Sequence, residues 1–81
     1  MRVRILLFAH LRERFGKNEM TMELSRGAKA FEILKILCRD EGEAKKMARS
    51  LLFAINEKYA TPETEIQEGD EVALIPPVAG G

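Results

Sequence analysis

The two ends of this chain carry its most apolar alternating segments, and a stretch of helical period lies between them. Val3, Ile5 and Leu7 recur at every second residue near the start, and Val72 and Leu74 do so near the end. That is the spacing of strands with one buried face. Met20, Met22 and Leu24 alternate with Glu19, Thr21 and Glu23, which predicts a second strand after a turn at Gly16-Lys17-Asn18, paired with the first as a hairpin. From Ala28 to Arg39 the period changes: around Leu34, the residues Ala30, Phe31, Ile33, Leu37 and Cys38 fall on one broad helical face. A chain of 81 residues supports one core. The strands must therefore share a sheet, and the helix must cover it.

The remaining punctuation is consistent with that plan. Ala9 to Phe15 makes one or two helical turns ending at Gly16. Asp40-Glu41-Gly42 interrupts the main helix, and Ala44, Met47, Ala48 and Leu51 mark a second, shorter amphipathic helix. Leu52 to Asn56 reads as a short strand, Tyr59-Ala60 as a minor one before Pro62, and Glu68-Gly69-Asp70 as a turn into a last strand, Glu71 to Ile75. The order predicts an α+β domain of β-grasp architecture: a mixed sheet with helices packed on one face, and the first and last strands adjacent and parallel at its centre. Residues 1–75 form this domain, residues 76–81 a flexible tail leaving from the sheet edge. If Val3, Ile5, Leu7, Val72 and Leu74 face the helices, then Leu6, Phe8, Ala73 and Ile75 face outward. An apolar patch of that kind beside a tail is a surface for partner docking.

The tail itself reads Pro76-Pro77-Val78-Ala79-Gly80-Gly81. Proline fixes φ and cannot donate a ladder hydrogen bond, so Pro76 ends the last strand. Two glycines without Cβ atoms let the backbone lie in a channel too narrow for other residues. Extended at about 3.3 Å per residue, the segment beyond Pro76 reaches on the order of 16 Å, enough to thread into a partner's active site. The group that arrives there is the carboxylate of Gly81. A carboxylate is a poor electrophile and needs activation, usually adenylation by ATP. The chain has no glycine-rich phosphate loop, so the activating enzyme is a separate protein. The adenylate then yields a thiocarboxylate if a sulfur donor attacks it, or an isopeptide if a lysine does.

Charge and single residues narrow the classes further. Thirteen basic and thirteen acidic side chains leave no net field to favour nucleic acid or an anionic membrane. The apolar run from Ile5 to Ala9 is too short for a signal peptide or a membrane span, and Arg12-Glu13-Arg14 follows it without a cleavage site. One cysteine, Cys38, excludes an internal disulfide and fits a reducing cytoplasm. Cys38 belongs to the inward face of the main helix, where it acts as a small hydrophobe. His10, the one histidine, has no second imidazole or cysteine in sequence reach, so no metal is expected. Lys45, Lys46 and Arg49 read as the solvated face of the second helix, and Ile36 is exposed with no site attached to it.

Leu7-Phe8-Ala9-His10-Leu11-Arg12-Glu13, Gly69-Asp70-Glu71-Val72-Ala73 and the ending Pro76-Pro77-Val78-Ala79-Gly80-Gly81 resemble the small, sulfur-carrying subunits of molybdopterin synthases. The resemblance covers essentially the whole chain, and its most specific element is the ending. It implies a ubiquitin-like β-grasp. It also implies that an E1-like enzyme adenylates Gly81 with ATP and Mg, and that a persulfide donor converts it to a thiocarboxylate. Gly81 would then enter the large catalytic subunit and give sulfur to cyclic pyranopterin monophosphate. No cofactor would be held by this chain itself. Where the family often has aromatic residues before the proline pair, this chain has Leu74 and Ile75. Three classes stay open on sequence: a sulfur carrier, for molybdopterin or for thiamine or tRNA thiolation; a ubiquitin-like protein modifier; and a non-catalytic interaction module.

Overall fold

In the first strand, β1 (Arg2–Leu7), every second side chain is driven inward: Val3, Ile5 and Leu7 are all buried. The computed structural model describes residues 1–77. Strand β2 (Glu19–Glu23) runs antiparallel to β1 with Val3 opposite Met22 and Ile5 opposite Met20. Strand β5 (Glu71–Ile75) runs parallel to β1 on its other side, with Ile5 opposite Val72 and Leu7 opposite Leu74. Strands β3 (Leu52–Ile55) and β4 (Lys58–Ala60) complete a five-stranded sheet of order β2-β1-β5-β3-β4. This is the mixed β-grasp sheet that the alternation predicts. One correction concerns the exit of the chain. Because β5 lies between β1 and β3, the chain leaves from the end of the central strand and not from a lateral edge.

Helix α1 (His10–Phe15) interrupts the β1–β2 connection and buries Leu11 completely. Gly16 closes it in the left-handed conformation at φ 74°, its N–H donating to the carbonyl of Arg12, a cap that glycine adopts without Cβ strain. Helix α2 (Ala30–Cys38) buries Ala30, Ile33 and Leu34, with Phe31, Leu37 and Cys38 half-buried around them. Helix α3 (Glu41–Ser50) contributes Ala44 and Met47. All three helices join the inward residues of β1, β3 and β5 in one core, leaving the opposite sheet face uncovered by helix. Among the described residues, no helix is long and apolar enough to cross a membrane.

The junction between α2 and α3 departs from the sequence reading. With ten residues against nine, α3 is the longer helix, and the segment Asp40-Glu41-Gly42 is its first turn rather than a gap. Arg39 ends α2 at φ 60°, and the Asp40 side chain at once accepts hydrogen bonds from the N–H groups of Gly42 at 2.8 Å and Glu43 at 3.3 Å. A side-chain cap satisfies amides that have no intrahelical partner. Asp40→Ala is expected to destabilise the domain by about 1 kcal/mol. Thermal melts should show a fall in Tm of about 4–8 °C; an unchanged Tm excludes this role for the cap.

Candidate functional site: the open face of the sheet

Register alone assembles an apolar trough on the face away from the helices. Leu6 stands opposite Ala73, Ala73 opposite Ala54, and Ala54 opposite Tyr59, so one row of side chains crosses β1, β5, β3 and β4. Alanines in the middle and larger side chains at the ends make the row concave. The next row holds Ile75 opposite Leu52, with Phe8 following Leu7 at the end of β1. Leu6, Phe8, Ala54, Tyr59, Ala73 and Ile75 line a single groove, with Glu57 and Glu71 at its rim.

Ala73, expected to face solvent, is buried at 9% on the floor of the groove, and Leu6, Ala54 and Ile75 are half-buried; the exposed apolar surface comes from the larger side chains around them. Tyr59 is 84% exposed, Leu52 49% and Phe8 41%, and apolar surface of this kind is the type on which partners dock. Backbone strain also gathers here. Ala9, next to Phe8, has φ 52° and ψ −133°, a conformation that disfavours any residue with a Cβ and persists where the surroundings enforce it. Toward β2 the face becomes charged. Arg4 bridges Glu19 at 3.1 Å and Glu71 at 2.5 Å, so its single positive charge is shared by two carboxylates.

The four surface residues chosen from sequence, Leu6, Phe8, Ala73 and Ile75, are thus brought together on one face. Leu52, Ala54 and Tyr59 are additions that the sequence does not disclose, since they depend on β3 pairing with β5. Pro76 requires a correction. Assigned to the tail, it is buried in the body, and Pro77 is the first exposed residue after β5. Val78, Ala79, Gly80 and Gly81 lie outside the described residues.

The other candidate groups are dispersed. His10 is exposed at the first position of α1, and Lys45, Lys46 and Arg49 are exposed on α3. Arg14 and Glu43 form an ion pair between α1 and α3. Ile36 is 48% exposed beside the Ser25 to Gly27 turn. Cys38 is half-buried with its Sγ 3.2 Å from Sδ of Met47. Burial pushes its thiol pKa up; the Arg14 charge opposes this and the Asp40 charge adds to it. A thiolate is the reactive form, so Cys38 is set for packing. Iodoacetamide at pH 8 should label native Cys38 more slowly than the urea-unfolded chain. Equal rates would contradict the assignment.

Comparison with known proteins agrees with this geometry. The sequence pattern of the ThiS family matches residues 5–81. The "Molybdopterin synthase sulfur carrier subunit" of Chlamydomonas reinhardtii is 36% identical over 83 residues, covering 100% of each chain. The solution structure of small archaeal modifier protein 1 from Methanosarcina acetivorans superposes with a TM-score of 0.76 at 26% identity, covering 99% of this chain and 96% of that one. A chain in the protein–protein complex of subunits 1 and 2 of the Helicobacter pylori molybdopterin-converting factor superposes with a TM-score of 0.65 at 24% identity, each chain covered in full.

Proposed function

Because the chain belongs to the ThiS family, we propose that it is the sulfur carrier subunit of a molybdopterin synthase, with Gly81 as the carrier group. The observation that supports this most directly is the position of β5. Ala73 and Ile75 of that strand line the groove, and the residues that follow lead to Gly80 and Gly81. A partner seated on the groove therefore lies beside the root of the tail. The Chlamydomonas reinhardtii relative carries the sulfur-carrier name at full coverage, and the Helicobacter pylori relative of this fold is found in complex with a second subunit.

In this reading the body binds and the tail reacts. An E1-like enzyme uses ATP and Mg to adenylate the Gly81 carboxylate. A persulfide donor attacks the acyl adenylate and displaces AMP, and a thiol reductant cleaves the resulting acyl disulfide, leaving the thiocarboxylate and a donor disulfide. The large catalytic subunit then receives the tail beyond Pro77 and passes sulfur to cyclic pyranopterin monophosphate. The chain holds no cofactor of its own, and the setting is the cytoplasm. Gly80 and Gly81 suit this because no Cβ obstructs the narrow approach to two successive active sites. Pro77, exposed where Pro76 is buried, has a fixed φ that stiffens the chain at this point.

The likeness to small archaeal modifier protein 1 favours a second reading, in which the activated Gly81 is joined to a lysine of a target protein. Intact mass of the protein purified from its own cells separates the two. A thiocarboxylate adds ~16 Da by exchanging one oxygen for sulfur. Conjugates to other chains with no such species would replace the sulfur-carrier reading with the modifier reading.

A further inference from the structure

Strand β3 turns into β4 through Asn56 and Glu57, and both have positive φ, 52° and 70°. Asn56, read from sequence as the end of the strand, belongs to the turn. A two-residue loop with this geometry is the hairpin turn in which glycine is strongly preferred at the second position, because a side chain there is strained. Asn56 is employed structurally: its amide donates to Asp70 Oδ1 at 2.8 Å, and its carbonyl oxygen accepts from the N–H of Glu71 at 3.0 Å. Glu57 has no comparable role. Among the described residues its carboxylate forms no ion pair. It stands where the apolar groove meets a second depression lined by Arg4, Asn56, Gly69 and Glu71.

The charge at this end of the groove is acidic. Arg4 is already paired with Glu19 and Glu71. Lys58 follows Glu57, but its register partner is Ile55, whereas the next residue, Tyr59, pairs with Ala54 in the groove row. Lys58 therefore points to the opposite face. We propose that Glu57 is a specificity-determining residue of the docking face, retained in a strained turn because its carboxylate selects a large catalytic subunit that presents a lysine or arginine opposite it. This rests on the docking face being the site of the large subunit, and deepens that reading by naming the partner's complementary chemistry. A rim charge acts chiefly on the rate of encounter and on its salt dependence.

The test is stopped-flow association of the full-length chain with the large subunit at low and high salt. It compares wild type, Glu57→Gln, Glu57→Lys and Glu57→Gly, with Phe8→Asp as a control. Glu57→Gln keeps the size of the side chain and removes the charge. Its association rate should fall about fourfold at low salt, the Boltzmann factor for one unit pair about 5 Å apart in water, and converge on wild type at high salt. Glu57→Lys should lose on the order of tenfold or more, because attraction becomes repulsion. Glu57→Gly should lose the same fourfold while its Tm stays level or rises, since the turn is relieved of strain; this separates the charge from any effect on folding. If Phe8→Asp abolishes binding and the Glu57 variants associate like wild type, the role of Glu57 is overturned and the docking face stands. If Phe8→Asp binds normally, the docking reading itself fails. Slower association seen only with the activating enzyme would overturn the assignment of the partner.

Discussion

Deleting Gly81 is expected to lower reconstituted sulfur transfer by at least about a hundredfold while leaving the Tm unchanged. Among the described residues the buried core runs from Val3 to Leu74 and Pro76 is the last buried residue, so stability is expected not to depend on the last glycine. Its part is reach. Removing one extended residue withdraws the terminal carbon by ~3.3 Å, and a misplacement of about 1 Å can already cost on the order of a hundredfold in rate. The assay combines the chain with activating enzyme, ATP, a sulfur donor, the large subunit and cyclic pyranopterin monophosphate. It reads thiocarboxylate by mass and molybdopterin by fluorescence of its oxidised product. Normal turnover by the deletion variant would show that the tail is not the carrier. Truncation before Pro76 is a different experiment, since it removes a buried residue and is expected to lower the Tm as well.

Phe8→Asp should weaken binding to the large subunit by at least about 30-fold, with stability changed little. Phe8 lies outside the buried core and is 41% exposed, and surface substitutions away from the core usually shift stability by about 0.5 kcal/mol or less. In a complex seated on the groove the same ring would be an aromatic anchor among aliphatic neighbours, a residue type whose truncation at hot spots costs about 2 kcal/mol or more. A carboxylate buried there without a partner adds its own desolvation cost. Calorimetric titration gives the affinity and a melt gives the stability. Affinity within about twofold of wild type would move the docking site off this face. Loss of both affinity and fold would show instead that Ala9, at its strained torsion, depends on Phe8 for its conformation.

The fold was legible because each element declares its period within a few residues: Val3, Ile5 and Leu7 can satisfy one face only as a strand, and Ala30, Ile33 and Leu34 only as a helix. The outward residues Leu6, Phe8, Ala73 and Ile75 follow from the same alternation. The other half of the groove was hidden for a physical reason. Ala54 and Tyr59 join it through the pairing of β3 with β5 and β4, and pairing is a long-range property that no local pattern encodes. Pro76 was misplaced on similar grounds. Proline ends a ladder, but whether its ring then packs inward depends on neighbours distant in sequence. The α2–α3 junction shows a subtler limit: Asp40 signals both an interruption and a start, and only the hydrogen bonds to Gly42 and Glu43 show which.

Placing β5 between β1 and β3 makes the complete groove depend on pairing between the two ends of the chain. Its walls come from β1, β3, β4 and β5, and β5 can take its central place only after a loop spanning nearly the whole chain has closed, a slow step in domains dominated by non-local pairing. Before that insertion Leu6 has no Ala73 beside it and Ala54 has none either. Only the Ala54–Tyr59 pair of the β3–β4 hairpin can form without it. If a partner docks on this groove as proposed, it is expected to select chains whose sheet is complete.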